Sequence, residues 1–163
     1  MKKILTILLV ALPLYLAVNL YFLDRHYFIS PIEYEGDIII RSDSRGEGHF
    51  GAKRSGGRRH RGIDLQAEVG TPVLSSRSGR VAIAREQKRG MGNYIVIHHW
   101  GGMTTLYGHL SRIDVSKGQF VRQGQVIGAV GKTGNANYRA MLAHLHFEVA
   151  NSGKPQDPLK FLP

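Results

Sequence analysis

The chain of 163 residues contains no cysteine. That excludes a disulfide framework and any thiolate metal site, so a bound metal must take nitrogen and oxygen ligands. Acidic residues are scarce: 12 Asp and Glu stand against 22 Lys and Arg, a formal charge of +10. An excess of this size makes an anionic neighbour the expectation, whether nucleic acid, anionic lipid or a cell-wall polymer. Capped helical periodicity is missing after residue 30. So are heptads, which excludes a coiled-coil spacer.

What is present from Gly46 onward is a succession of short strand-like runs. They are Pro72 to Leu74, Arg80 to Ala84, Tyr94 to His98, Met103 to Tyr107, Val126 to Val130 and Leu145 to Val149. Glycine and Asn/Ser turns separate them at roughly ten-residue intervals, as in a sandwich or barrel. The reading is all-β. Ala136 to Ala143 is the one place for a short helical turn. The glycine turns of Val115 to Gly131 resemble those of barrel-sandwich hybrids such as biotinyl and lipoyl carriers. A carrier lysine at Lys132 would leave the histidines unexplained. A phosphate loop ending in Gly131-Lys132-Thr133 is excluded, because its first glycine would fall on Val126.

The N-terminus differs from this body. Met1-Lys2-Lys3 precedes about twenty mainly apolar residues, Ile4 to Leu23, which is the length of a bilayer-spanning helix with positive charge inside. Bulky residues stand where a small-residue cleavage site would fall, so an uncleaved anchor is expected before a cleaved signal. Residues 1–23 are therefore read as anchor or signal, 24–45 as a linker and 46–163 as the functional domain. Within the linker, Ile38 to Ile40 reads as an edge strand or a simple contact. An anchored domain of this orientation lies outside the cytoplasm, which disfavours nucleic acid and favours a wall polymer.

Chemistry concentrates in three segments. In His144-Leu145-His146 the two imidazoles share one face if the segment is extended. His60 and Asp64 are four residues apart, with Gly62 between them arguing for a loop or bent strand. Tyr107-Gly108-His109-Leu110 supplies a third histidine segment, where Tyr107 shares the face of His109 if the strand is regular. Glu148 reads equally as a partner of a histidine or as a surface acid. Four histidines and one aspartate, spread over these three segments, are enough for a metal and its chemistry.

The ordered set His60-x-x-x-Asp64, Gly70-Thr71-Pro72-Val73, Gly92-Asn93-Tyr94, Tyr107-Gly108-His109-Leu110, Gly124-Gln125-Val126-Ile127-Gly128 and His144-Leu145-His146 resembles the lysostaphin-type zinc metallopeptidases, which cut peptidoglycan cross-links. The resemblance spans about His49 to Pro163. It implies that fold, one zinc ion held by His60, Asp64 and His146, and catalytic histidines at His109 and His144. It implies hydrolysis of peptide cross-bridges by a zinc-activated water, in the bacterial envelope, with an envelope protein as an additional partner. The family's inactive regulators typically lack some of these five residues; here all five are present. The alternative function is a non-catalytic wall-binding or regulatory module on the same fold, such as an amidase activator.

One stretch departs from the family pattern and another is a local charge anomaly. Asn135 to Ala143 is longer and more apolar than the usual approach to the His-x-His motif, and should border the substrate groove. The run Lys53-Arg54-Ser55-Gly56-Gly57-Arg58-Arg59-His60-Arg61 reads either as a solvated loop or as a contact for an anionic polymer or lipid headgroups.

Overall fold

The computed structural model describes residues 10–18 and 27–163. The strands in chain order are β1 (Ser42–Asp43), β2 (Gly46–Glu47), β3 (Ile63–Gln66), β4 (Pro72–Leu74), β5 (Gly79–Arg85), β6 (Asn93–His98), β7 (Met103–Leu110), β8 (Arg112–Ile113), β9 (Phe120–Val121), β10 (Val126–Ala129), β11 (His144–Asn151) and β12 (Lys154–Gln156). The main sheet runs β12-β11-β7-β6-β5-β9, and β3 pairs with β11 as well. A second sheet is ordered β4-β10-β8, and β1 and β2 make a small hairpin. Every strand pairing is antiparallel. The six runs expected from sequence all lie in strands. The additional strands are two to four residues long, too short to show an alternating pattern.

Strand β11 organises the molecule. Its residues Leu145, Phe147 and Val149 face the core and are fully buried, as are Ile63 and Leu65 of β3 and Tyr107 of β7. Tyr107 packs on Phe147 with ring centroids 5.3 Å apart. With a side-chain period of two, His144 and His146 must then face the other way. The core side is closed by Val73, Ile95, Ile97, Leu110, Ile127 and Val130.

Over its described part, the segment expected to be a linker packs against the domain. Phe28 and Ile32 are buried in the core. Ile29 N–H donates to the Ser76 carbonyl, and Leu74 N–H to that of Pro31. Phe28 also meets the ring of Phe161 edge-on at 5.5 Å. Ile38 to Ile40 does not form a strand; Ile40 makes a single bridge to Leu65. Residues 27–48 are therefore a strap packed onto the domain. Among the described residues, no helix is long and apolar enough to cross a membrane. The described helical stretch, residues 10–18, is part of the Ile4 to Leu23 run. The rest of that run, with Lys2 and Lys3, lies outside the described residues.

If the strap is part of the fold, Phe28→Ala should destabilise the chain by about 3–5 kcal/mol and Ile32→Ala by about 2–5 kcal/mol. Denaturant unfolding of the full chain measures this. An unchanged midpoint in both variants would show that the strap contributes no core.

Candidate metal centre

The site grows out of strand register. His146 pairs with Asp64 of β3 on one side and with Gly108 of β7 on the other. Residues directly opposite in antiparallel strands share a face. Asp64 is therefore delivered beside His146, while Gly108 leaves room there. A β-carbon at Gly108 would sit 3.4 Å from that of His146. Gly62 is needed for a different reason. A β-carbon there would collide with the Phe147 carbonyl, so only glycine lets the His60 turn lie against β11.

His109 reaches the same face by a break in the alternation. Regular geometry would send it to the core side with Tyr107. Instead its φ is +63°, an unusual left-handed conformation for a non-glycine residue, and this swings the imidazole across. Tyr107 therefore does not share the face of His109. Its hydroxyl accepts from Ser76 N–H at 2.9 Å and from the Thr105 hydroxyl at 3.1 Å, inside the core.

Three atoms converge. His60 Nε2 lies 3.0 Å from His146 Nδ1 and 3.1 Å from Asp64 Oδ1, and the last two are 2.9 Å apart. Ligands of a tetrahedral zinc with bonds of about 2.0–2.1 Å are roughly 3.3 Å from one another. The three donors need to move apart by only a few tenths of an ångström to hold such an ion.

The partners on the far side of each ring fix which nitrogen is offered. His60 Nδ1–H donates to the His49 carbonyl at 2.9 Å, which leaves Nε2 as a lone pair. His146 Nε2–H donates to Glu148 at 3.1 Å, which turns Nδ1 inward. Glu148 is thus a partner of a histidine rather than a free surface acid. His109 and His144 donate their Nδ1–H to the carbonyls of Thr133 and Leu142, at 2.9 and 2.8 Å. Their Nε2 lone pairs remain free, and His144 Nε2 stands 3.9 Å from Asp64. The His109 and His144 rings are 5.0 Å apart.

Charge follows the same geometry. Burial alone would raise Asp64, but its imidazole partners, the donating His146 first and then His60, outweigh it and hold the carboxyl well below its usual range. Burial would likewise depress His146; its bonds to Asp64 and Glu148 instead raise it to about 9. In the metal-free protein one proton on Nδ1 is thus surrounded by the donors of Asp64 and His60. A divalent cation answers the same need with more charge. Burial lowers His109 to about 3, helped by repulsion from His146, and it lowers His144 as well.

Sequence reasoning missed two cations. Asp64 Oδ2 accepts from Arg41 at 2.9 Å and from Arg54 at 3.2 Å. Arg41 is buried and also pairs with Asp43 at 2.7 Å. Neither arginine has a local signal, because each acts across the strap or the basic run. The expected helical turn in Ala136 to Ala143 is displaced to a 3-10 turn at Gly134–Ala136. Beyond it, Tyr138 lies under Arg45 at 4.5 Å and Leu142 N–H donates to Asp43 at 2.9 Å. The loop and the β1–β2 hairpin thereby meet beside a groove of about 840 Å³ that contains all five residues.

A buried carboxylate with two imidazoles, all offering lone pairs inward, and two further free imidazoles is the donor arrangement of a metallohydrolase. Comparison with known proteins agrees. The model of peptidase family M23 matches residues 58–158, and the chain belongs to that family. It is 43% identical over 101 residues to the peptidoglycan DD-endopeptidase ShyA of Vibrio cholerae, covering 62% of this chain and 22% of that protein. It is 39% identical over 114 residues to the lipoprotein NlpD/LppB homolog of Pseudomonas aeruginosa, covering 70% of this chain and 37% of the relative. The crystal structure of a zinc-containing peptidase from Vibrio cholerae superposes with a TM-score of 0.68 at 34% identity, over 85% of this chain and 41% of that one. The chain spans between about a fifth and two fifths of the length of the curated relatives it matches.

Removing the Glu148 carboxylate should free the His146 ring. Glu148→Ala is expected to weaken zinc binding about 10- to 100-fold. Competition against a chromophoric chelator measures it, and an unchanged affinity would show that Glu148 does not orient the ring.

Proposed function

We propose that the chain is a zinc endopeptidase that cuts peptide cross-links of bacterial peptidoglycan. The observation that carries this reading is the convergence of His60 Nε2, Asp64 Oδ1 and His146 Nδ1 beside two imidazoles whose Nε2 lone pairs are free. His60, Asp64 and His146 hold one zinc ion. Bound there, the ion supplies a Lewis acid for the scissile carbonyl and lowers the pKa of water.

The remaining chemistry belongs to the chain. His109 and His144 are neutral at physiological pH, so each can take a proton at Nε2. Their Nδ1–H bonds to backbone carbonyls hold the rings in place and stabilise the positive charge that forms. One imidazole takes a proton from the attacking water, faces the oxyanion of the tetrahedral intermediate as an imidazolium, and returns that proton to the departing amine. Asp64 keeps Oδ1 directed inward because Arg41 and Arg54 hold Oδ2.

The setting is the cell envelope, consistent with a peptidoglycan-acting and a lipoprotein relative. The N-terminal run anchors the domain to the membrane. Val10, Leu12, Leu14, Leu16 and Val18 expose apolar side chains within its described helical part, which favours lipid contact. A non-catalytic module on this fold would have no use for His109 and His144 with Nε2 held free.

The test is incubation of the full chain, in detergent, with purified sacculi, with and without a chelator, followed by mass analysis of released fragments. Chelator-sensitive loss of cross-linked dimers is expected. His146→Ala should lose zinc and activity together, whereas His109→Ala should keep zinc and lose activity by at least about 10²-fold. Full activity in either variant would refute the scheme.

A further inference from the structure

The groove around the five residues is walled by cations out of proportion to its needs. Seven lysine and arginine side chains line it, against two carboxylates, Asp64 and Glu148. Both carboxylates are already engaged: Asp64 with Arg41, Arg54 and the histidines, and Glu148 with His146. Arg45 is stacked on Tyr138. Lys53, Arg58, Arg59 and Arg61 remain, and among the described residues no carboxylate lies within 4.0 Å of them.

Three of the four are presented by a formed element, and Arg61 follows it on the far side of His60. Residues 53–59 make a short arm closed by the Lys53–Arg59 bridge and by Arg54 N–H donating to the Arg58 carbonyl at 2.9 Å. Gly56 and Gly57 turn its tip, both with φ of +72°. Arg58 Nε donates to the Ser55 carbonyl at 3.2 Å, and Arg59 donates to that of Gly51 at 3.1 Å. Each of these bonds uses one N–H and leaves the rest of the guanidinium fork free. His60, at the end of the arm, faces the metal site, so Arg59 and Arg61 flank a residue of that site directly.

Glu148 is the one carboxylate that acts on any of the four, through Arg61; the remaining positive charge makes the groove attractive to a ligand that brings negative charge. Guanidinium forks match carboxylates in particular, through paired, charge-assisted hydrogen bonds. We propose that the 53–61 arm is a carboxylate-binding subsite, and that the peptide cut here carries free carboxylates beside the scissile amide. The proposal rests on the peptidase reading above and sharpens it. Acidic peptides are selected, and peptides whose carboxyls are amidated, or whose bridges contain only neutral residues, are rejected. An anionic membrane fits less well, because the cations lie on the wall of a concave groove that ends at the histidines.

The test uses the full zinc-loaded chain in detergent and two peptides of one sequence, with side carboxyls either free or amidated. The kcat/KM for hydrolysis and the anisotropy of labelled peptides are both measured. The free-carboxylate peptide should be favoured by about tenfold or more in each. The preference should shrink towards one in the Arg58→Gln/Arg59→Gln double variant and fall in Arg61→Gln, used separately in case the double variant misfolds. Equal binding and equal cleavage of the two peptides would overturn the proposal. If neither peptide is cut, the peptidase reading is at fault, and the anisotropy ratio alone decides the subsite. If the double variant keeps the preference but binds vesicles of anionic lipid less well than the parent chain, the arm serves a lipid surface and the proposal fails.

Discussion

The structure depends on one register: Asp64 opposite His146, and His146 opposite Gly108, across three adjacent strands. A slip of one residue in either pairing would exchange the two faces of the sheet. Phe147 and Leu145 would then meet solvent, and the imidazoles would enter the core. The same apolar residues that drive folding therefore fix which side chains face the groove. Burial of Ile63, Leu65, Tyr107 and Phe147 sets the register, and the polar cluster is its consequence.

A second constraint is electrostatic. Four imidazoles and a carboxylate are buried together, which is costly unless each polar atom has a partner. The chain supplies one for every outward-facing ring nitrogen: three backbone carbonyls and Glu148. It supplies two guanidinium groups for the outer oxygen of Asp64. The inner nitrogens of His60 and His146 and the inner oxygen of Asp64 have only one another as partners, and they meet in one small volume. Partnering everywhere else is what makes that volume chemically reactive.

Much of this was legible in the sequence, and the reasons are specific. Strands with three core-facing or β-branched residues declare themselves, as at Tyr94 to His98 and Leu145 to Val149. The His-x-His pair shows its shared face because β11 is regular. Local rules failed where the chain departs from them. Tyr107 and His109 are two residues apart, but the positive φ at His109 separates their faces. The 24–45 stretch has a linker's signals, Pro31 and the acids Glu33, Glu35 and Asp37, and its apolar residues do not alternate as in a half-buried strand. Its role rests on two side chains, Phe28 and Ile32, and these have no periodicity to reveal them. Arg41 and Arg54 carry no pattern at all; only folding brings them to Asp64.

The strap has a practical consequence for anyone dissecting this chain. A boundary drawn at Gly46 looks natural, since every recognisable motif lies beyond it. Such a cut would remove Phe28 and Ile32 from the core and Arg41 from the outer oxygen of Asp64. A fragment without the strap would combine a weakened fold with an under-compensated carboxylate. Its silence in an assay would report on the place of the cut rather than on the chemistry of the site.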